Sequence, residues 1–176
     1  MRITGGTYSG RIVTCPKGII RPAMDRMRES MFSILGDLTE TSFLDLFAGS
    51  GIVGLEAASR GASPVVFVEK DRKKIPVLKK NLSFVEEETL VYSQDVFLFI
   101  KRLKMQFDTV YLDPPFAMKG KERLLKSIED QHVLPSGGRL LLHHPKGEIY
   151  PEVLGSLSLE REKQYGGSIL LFYRKG

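Results

Sequence analysis

Phe43-Leu44-Asp45-Leu46-Phe47 runs straight into Ala48-Gly49-Ser50-Gly51-Ile52-Val53-Gly54, and the reading of this join decides the fold. An apolar run of strand composition ends on small residues, and from Ile52 to Arg60 the pattern is helical. Glycines at such a turn let a backbone approach a ligand closely, and the first N–H groups of the helix face it. Gly49, Gly51 and Gly54 also satisfy G-x-G-x-x-G, which taken alone is weak because a plain strand–helix turn can produce it.

Working outward, the same strand-then-helix alternation repeats. Val65-Val66-Phe67-Val68 reads as a second buried strand and Asp71 to Asn81 as a basic helix. Leu90-Val91-Tyr92 is a third strand, followed by a helix from Val96 to Lys104. Thr109-Val110-Tyr111-Leu112 is a fourth, then a helix from Glu122 to Asp130, and Arg139 to Leu142 is a fifth. Leu157 to Gln164 and Ser168 to Arg174 flank Tyr165-Gly166-Gly167 as an antiparallel hairpin. Before the join, Met27, Met31, Ile34, Leu35 and Leu38 recur at helical spacing from Asp25, and residues 2–14 read as a β-hairpin turning at Gly5-Gly6 or Ser9-Gly10. Alternation of this kind implies an α/β fold with a mostly parallel, doubly wound sheet covered on both faces. One domain over 1–176 is expected, with a basic hairpin extension (1–20) ahead of the core (21–176).

With 176 residues, 42% hydrophobic and 27% charged, the chain can bury a sizeable core, and disorder is excluded. No apolar stretch approaches the roughly 18 residues of a membrane span, and Met1 to Gly6 lacks the apolar centre of a secretion signal. Cys15 is the single cysteine, so no internal disulfide forms. A cytoplasmic monomer, with no membrane partner, is expected. Of the net charge of +5, much lies in residues 1–30, where six basic residues face two acidic ones. A basic face attracts a polyphosphate backbone, and solvated surface charge is an equal reading of the same residues.

Ligands of parallel sheets bind beyond the carboxyl ends of the strands. The residues at those ends are Gly49 to Gly51, Glu69, Asp95 and Asp113. Glu69 suits a bidentate contact to two ribose hydroxyls, although an acid there could equally cap the next helix. Asp113-Pro114-Pro115-Phe116 is the discriminating element. Two prolines remove two N–H donors and stiffen the loop, leaving a carboxylate, backbone carbonyls and an aromatic ring. Such a set suits an amino group on a planar base: Asp113 and the Pro114 carbonyl accept its N–H groups, and Phe116 stacks on the ring. His143-His144, adjacent on a strand, point to opposite faces and make a poor metal site; no metal is expected, and a surface or loop role is read for both. Lys70 to Lys80 reads as a solvated helix face.

Together, Asp45 to Gly51, Glu69, Asp95 and Asp113 to Phe116 resemble the motifs of class I methyltransferases dependent on S-adenosyl-L-methionine (AdoMet). The opening Arg2 to Gly6 with Gly10-Arg11, the segment Arg21 to Glu29 and the closing Glu160 to Gly167 narrow the resemblance to the RsmD family of 16S ribosomal RNA guanine-N2 methyltransferases. This resemblance implies a Rossmann-like fold and a residue-by-residue assignment. Asp45, Phe47, Ala48, Gly49, Ser50 and Gly51 would hold the methionine part of AdoMet. Glu69, with Lys70 beside it, would hold the ribose, and Asp95 with the Val96 backbone the adenine. Asp113, Pro114, Pro115 and Phe116 would be catalytic. Arg2, Arg11, Arg21, Arg26 and Arg28 would contact 16S ribosomal RNA, in a small-subunit assembly. Ala23 stands where the family usually has Thr, so a hydroxyl contact there is absent.

Three other readings compete. A nicotinamide-dependent oxidoreductase leaves Asp113 to Phe116 unexplained and lacks room for a substrate domain. A non-catalytic RNA-binding module leaves the acids at three strand ends unexplained. Adenine-N6 methylation of DNA is the alternative within the class, since the same loop chemistry serves that amine; the absence of a large target-recognition domain favours RNA.

Overall fold

The structure is a computed structural model that describes residues 1–15 and 22–176, with Pro22 and Ala23 described by backbone alone. After the first fifteen residues the elements run α1 (Pro22–Leu35), β1 (Phe43–Asp45), α2 (Ile52–Ser59), β2 (Val65–Val68), α3 (Ile75–Leu82), β3 (Thr89–Tyr92) and α4 (Val96–Arg102). They continue with β4 (Thr109–Leu112), α5 (Lys121–Asp130), β5 (Arg139–Pro145), β6 (Val153–Leu154), β7 (Leu157–Tyr165) and β8 (Ser168–Lys175). Among the described residues one eight-stranded sheet forms, in the order β3-β2-β1-β4-β5-β8-β7-β6. Its first five strands are parallel and the last three antiparallel, so the expected α/β class and closing hairpin are both present.

Strand alternation divides the core into two layers. Phe43, Val65, Phe67, Tyr111, Leu141 and Phe172 pack with α1, α2 and α3. Leu44, Val66, Val68, Val110, Leu112, Leu140 and Leu142 pack with α4 and α5 on the other face. This period of two is what a pleated strand with both faces covered requires. Among the described residues no helix is long and apolar enough to cross a membrane.

Several boundaries differ from the sequence reading. Residues 2–14 form one antiparallel bridge, Arg2 to Ile12, rather than a hairpin of two regular strands, because Gly5 to Gly10 are taken up in turns and contacts to α2. The basic helix starts at Ile75, not Asp71, and residues 72–74 are a turn. The fifth strand runs on through His143 and His144 to Pro145, because β8 pairs with it along its whole length. The short strand β6 was not foreseen.

The first residues and α1 are fastened to α2 by a buried charge cluster. Glu56, in the apolar sequence Ile52-Val53-Gly54-Leu55-Glu56-Ala57, is fully buried. Its carboxylate accepts hydrogen bonds from Arg28 Nε (3.0 Å), Thr4 N (2.8 Å) and Thr4 Oγ1 (2.9 Å), and it pairs with Arg60. Arg28 Nη2 also donates to the Arg2 carbonyl at 2.9 Å, and its Nη1 pairs with Asp25 at 3.1 Å. Removing one member of such a cluster strands the others away from water. Glu56→Ala should therefore lower unfolding free energy by about 3–5 kcal/mol, read from the urea midpoint at unchanged slope. A loss below about 1 kcal/mol would mean that Asp25 and the Arg2 carbonyl suffice for Arg28.

Candidate active site

The strand order reverses at β1, which has β2 on one side and β4 on the other, and the chain leaves these strands in opposite directions. A cleft of about 1220 Å³ opens there. Leu46, Phe47 and Gly49 form part of its wall. Glu69, Lys70, Asp95 and Val96 form another, and Asp113 to Phe116 with His143 a third. Met24 of α1 also lines it.

Each glycine of the turn has its own physical reason. Gly49 has φ +55° and nothing within 4 Å of where a Cβ would stand, so its backbone faces open space. Gly51 has φ +84° at the start of α2, and a Cβ there would come within 2.3 Å of Leu78 Cδ1. A Cβ on Gly54 would meet Phe67 Cε1 at 2.2 Å, so this glycine lets α2 lie close on β2.

The acids at the strand ends are held by backbone N–H groups. Asp45 Oδ1 accepts from Phe47 N (3.4 Å), and Asp95 Oδ1 caps α4 by accepting from Phe97 N (2.9 Å). Glu69 accepts from Asp71 N at 2.7 Å through Oε1 and from Gly49 N at 2.8 Å through Oε2. It thus braces both the glycine turn and the turn after β2, and each oxygen keeps a second lone pair. Lys70 Nζ lies 3.6 Å from Asp95 Oδ2. Burial, then the charges of Asp113 and Glu69, push the Asp45 carboxyl up to about 7.

The family model described as conserved hypothetical protein 95 matches residues 1–174. Ribosomal RNA small subunit methyltransferase D of Escherichia coli (strain K12) is 32% identical over 178 residues, covering 99% of this chain and 90% of that protein. The chain belongs to the RsmD family. The Bacillus subtilis (strain 168) protein YlbH is 32% identical over 182 residues, covering 99% of each chain. The solved structure of Escherichia coli yhhF superposes with a TM-score of 0.91 at 32% identity, over 99% of this chain and 97% of that one.

Within this RsmD-family fold the residues singled out from the sequence separate into groups. Phe47, Gly49, Glu69, Lys70, Asp95, Val96 and Asp113 to Phe116 line one cleft. Ala48, Ser50 and Gly51 lie behind it as scaffold: Ala48 N donates to the Val68 carbonyl, and the Ser50 carbonyl accepts from Asn81 Nδ2 at 2.8 Å. Asp45 is 1% exposed and sits beneath the turn rather than in its wall. Arg2, Arg11 and Arg26 are exposed, and the Arg11 guanidinium lies 4.3 Å from the centre of the Phe84 ring. Arg28 is 2% exposed, so a phosphate contact is ruled out by its burial against Glu56. Arg21 lies outside the described residues.

The histidine reading is corrected. His143 and His144 are both 2% exposed; β8 pairs with β5 where they stand, while the pairing with β4 ends at Leu142. His144 points to the opposite layer, where its ring meets Tyr150 and burial lowers its pKa. His143 Nδ1 is 2.7 Å from Asp113 Oδ1, and its ring centre lies 5.5 Å from that of Phe116. His143 was missed as a site residue; its signal was position, two residues beyond Leu141 on the layer that carries Tyr111 and Asp113.

The buried acid gives a stability signature. Asp45 keeps its proton in the fold up to about pH 7, whereas the unfolded chain releases it near the ordinary aspartate value of 3.8. Stability from this group is thus complete below about pH 4 and lost as pH rises to about 7, by on the order of 4 kcal/mol. Asp45→Asn removes the titration, so its stability relative to wild type should climb over that window and level off above it. Urea unfolding at pH 4, 5, 6, 7 and 8 checks this, and a pH-independent difference would contradict it.

Proposed function

We propose that the chain transfers a methyl group from AdoMet to the exocyclic N2 of a guanine in small-subunit 16S ribosomal RNA, acting as a cytoplasmic monomer. The observation that carries the reading is Asp113-Pro114-Pro115-Phe116 lining the cleft at the point where the strand order reverses. The chemistry of the cleft fits AdoMet: an open glycine backbone at Gly49 for close approach, acids for a cationic ligand, and the second lone pairs of Glu69 for ribose hydroxyls. Phe47 and Gly49 would take the methionine part, with Asp45, Ala48, Ser50 and Gly51 shaping their turn. Glu69 beside Lys70 would take the ribose, and Asp95 with Val96 the adenine. Bound AdoMet supplies a methyl group already activated on sulfur.

The remaining work falls to the chain. A guanine N2 lone pair is delocalised into its ring, which makes the amine a poor nucleophile. Asp113 and the Pro114 carbonyl, by accepting its two N–H bonds, favour a more tetrahedral nitrogen and aim it. They also stabilise the positive charge that develops there. Phe116, 37% exposed, offers a face for stacking, and Pro115 stiffens the loop. Arg2, Arg11 and Arg26 supply phosphate contacts, which position RNA without reading sequence. The ribosomal RNA relatives favour this substrate over adenine in DNA.

Incubation with AdoMet and unmodified small-subunit particles, naked 16S RNA or duplex DNA, followed by nucleoside mass spectrometry, tests the reading. N2-methylguanosine is expected, most in the particle; N6-methyladenine in DNA with no methylguanine in RNA would overturn it. Asp113→Ala should lower turnover by about 10²–10³-fold with AdoMet affinity retained. Glu69→Ala should weaken AdoMet binding by about 1.5–3 kcal/mol in calorimetry. Neutralising Arg2 and Arg11 together should weaken RNA binding and flatten its salt dependence, leaving AdoMet affinity unchanged.

A further inference from the structure

Three of the four acids that end parallel strands are fixed in the same way, each accepting the backbone N–H two residues on: Asp45 from Phe47, Glu69 from Asp71, Asp95 from Phe97. Asp113 has no such donor, because the residue two positions on is Pro115 and the one between is Pro114. The donor comes instead from the neighbouring strand: His143 Nδ1 lies 2.7 Å from Asp113 Oδ1, and His143 is 2% exposed. The same ring packs beside Phe116, and it lines the cleft.

We propose that His143 is a positioning residue for methyl transfer, supplying the hydrogen-bond donor that the two prolines deny Asp113 and backing the Phe116 ring. The proposal rests on the reading of Asp113 as the amine acceptor. The arrangement separates two demands on the loop. Prolines leave the Pro114 carbonyl and the Asp113 carboxylate as acceptors, with no N–H of their own to compete for the carboxylate. A loop aspartate without an internal donor is free to rotate, and a ring locked in a paired strand removes that freedom from one oxygen. The proton follows from the partners. Asp113 accepts, so Nδ1 carries hydrogen. Nε2 is buried with no partner among the described residues, and a bare acceptor there is less costly than a second stranded donor on a cation. His143 is therefore the neutral Nδ1–H tautomer.

Six proteins test this: wild type, His143→Leu and His143→Asn, each made also with Asp113→Asn as background. Leucine fills the buried position without a donor, whereas the asparagine amide places a donor near that of Nδ1. His143→Leu should lower turnover on RNA by about 10–10²-fold, with KM for RNA and AdoMet affinity within about threefold of wild type. His143→Asn should recover turnover to within about threefold. With Asp113→Asn as background, His143→Leu should cost nothing further, because the partner it holds is already altered. Nitrogen-15 spectra of the wild-type ring, with Asp113→Asn as the comparison, should show the Nδ1–H tautomer at His143. Wild-type turnover in His143→Leu, an equal cost in both backgrounds, or an Nε2–H tautomer would each overturn the proposal. If wild type methylates no ribosomal RNA, the functional reading fails, and the tautomer, which needs no turnover, still decides this one.

Discussion

A strand with neighbours on both edges and helices over both faces has nowhere to hold a charged side chain except where it ends. β1, β2 and β4 are buried at every position but carry acids at or just past their carboxyl ends. Alternation then decides which side of the sheet those acids serve. Phe43, Phe67, Tyr111 and Leu141 belong to the layer packed on α1, α2 and α3. Two residues further along each strand stand Asp45, Glu69, Asp113 and His143. Four segments remote in sequence therefore deliver polar groups to one side of one sheet edge, by pleat geometry alone. The reversal of strand order beside β1 opens the crevice into which three of them face.

The same constraint explains what could be read from the sequence. Parallel strands doubly covered read as short apolar runs, so their ends, and the acids there, were visible without coordinates. Gly49 to Gly54 and Asp113 to Phe116 were legible because a turn at a strand end has few solutions. His143 was not, because its identity as a site residue depends on β8. The antiparallel hairpin pairs with β5 out to Pro145, carrying strand geometry past Leu142 and burying a pair of histidines that resemble a loop. Glu56 and Arg28 were hidden for a related reason. Each looks like surface charge, and only the docking of the first residues and α1 onto α2 makes the two counter-ions.

Clustering acids in one crevice has an electrostatic consequence. Asp45, the most buried, gains from staying protonated near neutrality, since Asp113 and Glu69 already carry negative charge close by. Its work is to brace the turn through Phe47 N, for which charge is unnecessary. Glu69 and Asp95 differ: backbone donors and Lys70 compensate them, and both line the crevice. The division between a neutral scaffold acid and compensated acids in the wall follows from depth below the surface.

Depth also separates the arginines near the start of the chain, which composition treats alike. Arg2, Arg11 and Arg26 stay in solvent, while Arg28 turns inward to satisfy Glu56 and the Arg2 carbonyl. Two residues further on, Ser30 Oγ accepts a 2.6 Å hydrogen bond from the Tyr165 hydroxyl of the closing hairpin. The helix that brings Met24 to the crevice is thus fixed on one side by buried charge and on the other by the antiparallel end of the sheet. Charge used to hold α1 cannot also meet a phosphate, so the positive surface of this region comes from the arginines that the fold has no use for inside.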